Sequence, residues 1–356
     1  MVEKKDVLSI LSKIKDPELG KDIVSLGFVK AITINGDNVV IDLALTTPAC
    51  PLRENFINEI KSGVEGNLGV KLDLRMSADV PKGAIVRKEG LSGVKNIVAI
   101  ASGKGGVGKS TVTLLTAFAL TKLGATVGIL DGDIYNASIP QMLGRAGSVE
   151  VKDGLIQPAL VAGIKLISIS QFSTSDGAVV WRGPLVAKAI RDFVGSVNWG
   201  NLDYLFIDLP PGTGDAPLTA AQDASLTGVV IVSTPQWAAL SVALKAADMF
   251  RRLKVNIIGI VEDMSYIVCP HCGTRIDLYG EGLVEGKAKE LGIDYLGALP
   301  MYPDIRKLED LGFTNAKELN LAEPFINLAK RIAARISVID MSEKIEGLDE
   351  KAAATG

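Results

Sequence analysis

The sequence contains few of the residues that build disulfide or metal frameworks. Of its 356 residues, three are cysteine and one is histidine. So small and odd a cysteine count excludes a disulfide framework and fits a reducing compartment, so we expect a cytoplasmic protein. The chain lacks an apolar run near the ~18 residues of a membrane span, and its start, "MVEKKDVLSI", lacks the apolar block of a signal peptide. It also lacks a long Lys/Arg run, so neither a membrane nor a nucleic acid is an expected partner.

The residues that are present have a globular composition, with 47% hydrophobic residues, 22% charged residues and a net charge of −3. A chain of this length exceeds one ordinary core, which predicts two domains. Residues 1–80 combine helical spacing with short strand-like runs and are interpreted as a small α/β domain. Residues 81–95 mix proline, glycine and charge without periodicity, which predicts a linker. The polar segment 339–356 is expected to be a frayed tail.

Residues 96–338 form the larger predicted domain. Short apolar runs, from "NIVAIA" to "YLGAL", alternate there with helical segments. Strands that are apolar on both faces are typical of a parallel sheet covered by helices. The predicted fold class is therefore α/β, with a doubly wound, mostly parallel sheet of roughly seven or eight strands and a separate small N-terminal α/β domain.

A glycine-rich loop opens this larger domain and predicts nucleotide binding. Residues 103–110 match G-x-x-x-x-G-K-[ST] between a strand-like run and a helical segment, which is the context of a P-loop NTPase. The glycines let backbone N–H groups turn toward phosphate oxygens, Lys109 reaches the β- and γ-phosphates, and Ser110 offers its hydroxyl to Mg²⁺. The predicted nucleotide-binding residues of this loop are Gly103, Lys104, Gly105, Gly106, Val107, Gly108, Lys109, Ser110 and Thr111.

Acidic residues follow two other apolar strands. "YLFID" ends in Asp208, a position typical of the acid that holds Mg²⁺, and "VGILDGD" ends in Asp131 and Asp133. The carboxyl ends of parallel strands lie at the ligand-binding edge of a sheet, although such acids can also serve only to cap loops. Gly212, in the "PPG" after Asp208, is predicted to sense the γ-phosphate because glycine can change conformation without steric cost.

The cysteines raise a question of ligand number. In "YIVCPHCGTRIDLYG", Cys269 and Cys272 stand on either side of His271, with the spacing of a metal knuckle. A zinc or iron–sulfur site normally takes four protein ligands, and a free or redox-active cysteine pair is the alternative. Cys50 precedes a predicted helix whose dipole would stabilise its thiolate, unless the residue simply packs in the core; Glu18 is a candidate neighbour.

Taken together, these motifs resemble the Mrp/ApbC iron–sulfur cluster carriers, a branch of the MinD/ParA/nitrogenase-iron-protein class with a deviant Walker A loop. The matching stretches include "ASGKGGVGKST", "ILDGDIYNASIPQMLG", "IDLPPGTGDAPLT" and "VEDMSYIVCPHCG", and they spread over most of residues 96–315. Residues 1–80 resemble the small iron–sulfur-assembly-type domain of these carriers through "KDPELGKDIVSLGFV" and "LTTPACP".

The resemblance implies a slow ATP hydrolase that works as a homodimer and carries a [4Fe–4S] cluster from assembly scaffolds to apo-proteins. Lys104 would act on the partner's nucleotide and Asp133 would orient the attacking water, so Lys104, Lys109 and Asp133 are the implied catalytic residues. Asp131 and Asp208 would surround the Mg²⁺ that Ser110 binds.

The same resemblance answers the question of ligand number. Cys269 and Cys272, paired with the same two residues of a second copy, would give the four thiolates of a bridging cluster. The cofactors are therefore ATP, Mg²⁺ and [4Fe–4S], with [2Fe–2S] or zinc as alternatives for the same thiolates. For Cys50, the implied role is transient cluster handling or docking of an assembly partner.

Some residues depart from the family pattern. Asn136 and Ala137 replace Gly-Pro in a switch loop, and Val242 stands where relatives often have Asp. Asp263 replaces the Asn that would contact adenine, and an ionised carboxylate can only accept hydrogen bonds, so ATP is expected while GTP stays open.

Two other functions are alternatives to the carrier. A positioning ATPase of MinD/ParA type would need a basic amphipathic helix or a basic surface, and the sequence has neither. A zinc-dependent metallochaperone NTPase differs from the carrier only in the metal that it holds, so metal analysis has to separate them.

Overall fold

The structure is a computed structural model. It describes residues 2–82, 91–133, 137–144, 149–172, 183–301 and 322–354, so Asn136 and most of the expected linker lie outside the described residues. The chain divides into two compact units, one of Met1–Ala84 with Ala333–Gly356 and one of Ile85–Ile332.

The smaller unit is a three-stranded sheet packed against helices. Its elements are α1 (Lys4–Leu11), β1 (Val29–Asn35), β2 (Asn38–Leu45), α2 (Arg53–Leu68) and β3 (Lys71–Ala78). β1 and β2 are antiparallel and joined by a tight turn at Gly36, whose φ of 61° suits glycine. β2 and β3 are parallel, so α2 serves as their crossover helix. The core of the unit includes Leu11, Ile41, Phe56 and Ile60.

The larger unit is built on a mostly parallel sheet. The strands are β4 (Val94–Ser102), β5 (Val127–Asp131), β6 (Glu150–Lys152), β7 (Leu155–Gln157), β8 (Ala159–Val161), β9 (Ile164–Ser168), β10 (Leu202–Asp208), β11 (Gly228–Ser233), β12 (Ile257–Val268), β13 (Arg275–Ile276) and β14 (Tyr295–Pro300). Among the described residues, nine strands join in the order β13-β12-β11-β4-β10-β5-β9-β8, with β14 paired to β12. β6 and β7 form a separate hairpin.

Helices surround this sheet. They are α3 (Lys109–Lys122), α4 (Ile139–Met142), α5 (Gly183–Ser196), α6 (Asp215–Asp223), α7 (Trp237–Arg252), α8 (Leu283–Glu290) and α9 (Glu323–Ala354). The central strands β4, β5, β10 and β11 are buried along almost their whole length, as expected of strands covered on both faces. The predicted α/β fold with a mostly parallel sheet is therefore confirmed. Within the described part of this sheet, the edge strands β8 and β13 pair antiparallel with their neighbours.

The strand order brings the predicted functional segments to one edge. β4 ends where the glycine-rich loop begins, and it pairs with β10, which pairs in turn with β5. Asp208 at the end of β10 lies in register with Asp131 at the end of β5. The connection after β4 and the acids of the two neighbouring strands thus meet at the carboxyl edge, where ligands bind in open α/β sheets.

The C-terminal segment differs from the expectation. Residues 339–354, expected to be a frayed tail, continue α9 to Ala354, and the smaller unit takes in the helix from Ala333 onward. The helix is anchored by buried apolar residues up to Ile336, and the Ser337 hydroxyl lies 3.4 Å from the carbonyl oxygen of Thr46. Beyond that point the sequence has no proline and is rich in alanine, glutamate and lysine, which favour a helix. Within the part of the chain that the structure describes, none of the helices combines the length and apolar character needed to cross a membrane.

Candidate functional site

The glycine-rich loop joins β4 to α3 and has the backbone that phosphate binding requires. Gly106 and Gly108 have φ values of 76° and 83°, a region that other residues rarely enter. α3 begins directly after Gly108, so its free N–H groups point into the loop. Gly103 packs so closely on α7 that a side chain there would overlap the α7 backbone, and Val107 is buried.

A buried cluster of charges lies beneath the loop. Lys109 Nζ is 2.7 Å from Asp208 Oδ2 and 3.4 Å from Asp133 Oδ2, and all three side chains are almost completely buried. The hydroxyls of Ser110 and Thr113 donate to the two oxygens of Asp208 at 2.6 and 2.8 Å. Burial favours the neutral amine, but the charges of Asp208 and Asp133 outweigh it and hold the pKa of Lys109 above its ordinary value. Lys109 therefore stays charged.

Asp131, the last residue of β5, contacts this cluster through Asp133. Its carboxylate accepts a hydrogen bond from the Ser168 hydroxyl at 2.9 Å and from the backbone N–H of Asp133 at 3.3 Å. Burial, reinforced by the charge of Asp208, raises the pKa of Asp131 to about 8. Asp131 thus contacts the backbone of Asp133, and Ser168 at the end of β9 contacts Asp131 in turn.

A cavity of about 400 Å³ opens above the loop. It is lined by Ser102, Lys104, Gly105, Gly106, Gly108, Lys109, Ser110, Thr111, Asp133, Ser138 and Met264. Lys104 is exposed at its rim. Gly212, with φ of 97°, donates its N–H to the Ser102 carbonyl at 2.8 Å and so connects the segment after β10 to the loop. A larger cavity of about 520 Å³ lies beside β14 and α9.

Asp263 is a residue of β12 that packs against the phosphate loop. It is 5% exposed, and a methyl group on Gly108 would overlap its carboxylate. The next residue, Met264, has φ of 53°, so the strand bends at this point. Asp263 therefore lies against the loop itself, at the nucleotide site that the sequence predicted.

The two cysteines lie on a hairpin that extends β12 beyond the sheet. β12 and β13 pair antiparallel, with Cys269 and Cys272 in the turn between them. The Cys269 N–H donates to the Thr274 carbonyl at 2.9 Å, and the Cys272 thiol lies 3.2 Å from the Thr274 hydroxyl. Hydrogen bonds from Thr274, and then from Cys269, lower the pKa of Cys272, which is exposed. The turn exposes Cys272 to solvent and leaves Cys269 partly exposed.

The described residues do not supply the remaining ligands of a metal site. No group of three or more His, Cys, Asp or Glu residues in the described ranges could hold a metal ion. His271 is exposed at the tip of the hairpin. All three cysteines are free. The described part of the chain therefore offers a pair of thiols at this hairpin.

Cys50 packs against the core of the smaller unit, which is the alternative to a stabilised thiolate that the sequence left open. It lies before α2, but burial raises the pKa of its thiol to about 11, and the charges of Asp16 and Glu18 add to this effect. The expectation that the helix dipole would stabilise a Cys50 thiolate is therefore wrong, because desolvation and two nearby acids outweigh the helix terminus. Glu18 does lie near enough to contribute, and its own pKa is raised, mainly by burial.

Three functional contacts were missed by the sequence analysis: Thr113 and Ser168, which support the acids, and Thr274, which contacts both cysteines. Thr113 follows Lys109 by one helical turn, so its place on the same face was a usable signal. Ser168 is the last residue of β9, and its position at a strand end was a weaker signal. The spacing of Thr274 gave no comparable indication.

Comparison with known proteins identifies the family. A family model described as ParA, NUBPL iron-transfer P-loop NTPase, matches residues 93–336. The chain belongs to this family. A second model, described as iron-sulfur cluster assembly protein, matches residues 4–72. The resemblance inferred from the motifs is confirmed, and nucleotide hydrolysis is the general chemistry of a P-loop NTPase family.

Individual relatives of this NUBPL-type NTPase cover nearly its whole length. It is 41% identical over 343 residues to an iron-sulfur cluster carrier protein of Synechocystis sp., covering 93% of this chain and 97% of that protein. Identity to a protein of the same description from Deinococcus radiodurans is 40% over 353 residues, covering 96% and 98%. A solved nucleotide-binding protein of Archaeoglobus fulgidus in complex with ADP is 46% identical with a TM-score of 0.56, covering 63% of this chain and 89% of that one.

The contact between Gly108 and Asp263 gives a first prediction. Gly108→Ala should weaken ADP binding more than Gly106→Ala, because both substitutions strain a positive φ but only the first also meets the Asp263 carboxylate. Strain alone, of about 1–2 kcal/mol, corresponds to roughly tenfold in affinity. Adding Asp263→Ala should recover part of the loss at Gly108, as measured by calorimetric titration. Equal losses in the two single variants would contradict the assigned contact.

The cysteine environments give a second prediction, on metal-free protein. At pH 8 a thiol of pKa about 11 has roughly a hundredfold less thiolate than a thiol of ordinary pKa. A thiolate of higher pKa is also a stronger nucleophile, which raises its reaction rate roughly tenfold and offsets part of this difference. Iodoacetamide should therefore label Cys50 at least about tenfold more slowly than Cys272, as followed by peptide mass spectrometry. Raising the pH from 8 to 10 should accelerate Cys50 labelling, because its folded pKa lies above that range.

In urea, where the environments are lost, the two cysteines should react alike. Equal rates for Cys50 and Cys272 in the folded protein would contradict the assigned environments.

Proposed function

We propose that this protein is an ATP-dependent carrier of iron–sulfur clusters, which binds a [4Fe–4S] cluster between two copies of the chain and passes it to apo-proteins. The observation that carries the proposal is the course of β12. This strand holds Asp263 against the phosphate loop and ends immediately before Cys269. At about 3.3 Å per residue, no more than about 20 Å of strand separates the two sites.

The residues beneath the loop suit a magnesium nucleotide. Carboxylate and hydroxyl oxygens are the ligands that Mg²⁺ prefers, and those of Asp208 and Ser110 lie 2.6 Å apart. When bound, the metal would neutralise charge on the carboxylates and on the phosphates. Lys109, which now neutralises Asp208, would then turn toward the β- and γ-phosphates. Backbone N–H groups of Gly106 and Gly108 would hold the same phosphates.

The residues around the cavity suit slow hydrolysis. Asp133 lines the cavity and would orient the attacking water. The backbone N–H of Asp133 donates to Asp131, which would hold Asp133 in place. Lys104 is exposed at the rim, where it could contact the nucleotide of a second copy rather than its own. Gly212 is tied to Ser102 at the end of β4 and would report the γ-phosphate. Most of this catalysis is positioning and charge stabilisation, as in other phosphoryl transfers.

The hairpin that holds Cys269 and Cys272 is suited to a cluster that the protein transfers rather than keeps. Cys269 and Cys272 provide two thiolates, and a second copy related by a two-fold axis would complete the four that a cluster normally takes. Exposure of Cys272 leaves the cargo accessible to a recipient. Zinc could occupy the same thiolates, so metal analysis decides between the two. Free thiols fit a reducing compartment, and we place the protein in the cytoplasm.

The proposed partners follow from the cargo. An assembly scaffold would donate the cluster and apo iron–sulfur proteins would accept it. Relatives described as iron-sulfur cluster carrier proteins, aligned over nearly the whole chain, support this assignment. The match of residues 4–72 to an iron-sulfur cluster assembly model supports a role for the smaller unit in the same process.

Anaerobic reconstitution with iron and sulfide tests the proposal. About four irons and four sulfides per dimer are expected, with the dimer measured by light scattering. The Cys269→Ala/Cys272→Ala variant should lose the cluster and keep its affinity for ADP, whereas Cys50→Ala, the matched control, should keep both. A protein that stays colourless and holds zinc, or a Cys269→Ala variant with a full cluster, would overturn the proposal.

A further inference from the structure

Thr274 is the residue of the hairpin that contacts both cysteines. Its carbonyl oxygen accepts the Cys269 N–H at 2.9 Å. Its hydroxyl oxygen lies 3.2 Å from the Cys272 sulfur, and its backbone N–H also interacts with that sulfur. The backbone contacts would exist with any residue at this position. The hydroxyl contact requires Ser or Thr and is directed at only one of the two sulfurs.

Thr274 directly precedes β13, which pairs with the end of β12. The guanidinium of Arg275 lies over the Tyr266 ring of β12, 4.1 Å from its centroid, and so adds a contact between the two strands beside the cysteine turn. The Thr274 hydroxyl lies next to this pairing, within hydrogen-bond distance of Cys272.

The direction of the hydrogen bond depends on the state of the sulfur. As a thiol, Cys272 can donate to the hydroxyl oxygen of Thr274. As a thiolate ligand, it has no proton, so the hydroxyl must donate to the sulfur. Such a bond draws electron density from the sulfur, which weakens its donation to iron and raises the reduction potential of the cluster.

We propose that Thr274 is a positioning residue that makes Cys272 the weaker of the two cluster ligands and the first to release the cargo. This inference rests on the proposed carrier function. In the release step, the Fe–S bond to Cys272 breaks and an Fe–S bond to a cysteine of the recipient forms. The recipient thiol loses a proton, the freed Cys272 thiolate gains one, and no electron changes hands. The hydroxyl that weakened the first bond then stabilises the departing thiolate.

Thr274→Val and Thr274→Ser test the inference on the reconstituted full-length protein. Valine keeps the shape and the backbone contacts but removes the hydroxyl, whereas serine keeps the hydroxyl. Thr274→Val should release iron to bathophenanthroline about tenfold more slowly than the wild type and should have a lower cluster reduction potential. Thr274→Ser should restore both values toward the wild type. Unchanged release and potential in Thr274→Val, or equal changes in the two variants, would overturn the inference.

Cobalt(II) separates this inference from the carrier function. A wild-type protein that takes up no cluster would refute the carrier function, and the hydroxyl contact would then be examined with Co²⁺ added to the metal-free chain. Loss of the hydrogen bond in Thr274→Val should shift the thiolate-to-cobalt charge-transfer band to lower energy, and Thr274→Ser should restore it. A band at the same energy in all three proteins would refute the role of Thr274 independently of any cluster.

Discussion

The buried ion pair between Lys109 and Asp208 is the interaction on which the nucleotide site depends. Charges removed this far from water are stable only when paired and hydrogen-bonded, and Asp208 accepts bonds from Lys109, Ser110 and Thr113. These contacts fix the start of α3 against the end of β10. Asp133, 3.4 Å from the same amine, ties the end of β5 into the cluster. The carboxyl edge of the sheet is therefore held together by one buried cluster of charges.

β12 extends this organised edge toward the cysteines. Because Gly108 lacks a side chain, Asp263 can lie directly against the phosphate loop, and the same strand leads into the cysteine hairpin. If nucleotide binding changes the shape of the loop, Asp263 would therefore be displaced before the rest of β12. In the proposed carrier, this strand lets nucleotide state bias how the cysteines of two copies meet, and cluster binding would bias nucleotide affinity by the same factor.

The sequence was informative where one residue type has few structural alternatives. Gly106 and Gly108 have a rare backbone conformation and Lys109 stays charged, so their positions in the loop could be predicted from spacing. Ser168 was missed because its contact with Asp131 joins residues that are distant in the chain. For Cys50, a thiolate stabilised by the helix and a residue packed in the core were both open, and burial together with acids from another segment raises its pKa. Local patterns predicted the elements, and long-range packing determined the environments.

The most direct test of the link between nucleotide and cargo is the rate of cluster release measured with and without bound nucleotide. The reconstituted wild-type protein would be followed by absorbance during transfer to an apo-ferredoxin, in ATP with Mg²⁺, in ADP with Mg²⁺ and without nucleotide. The account predicts that the rate differs between these states and that Asp208→Asn, which disrupts the buried ion pair, removes the difference. Equal rates in ATP, in ADP and without nucleotide would contradict the account, provided that the wild-type protein is shown to bind both nucleotides under these conditions.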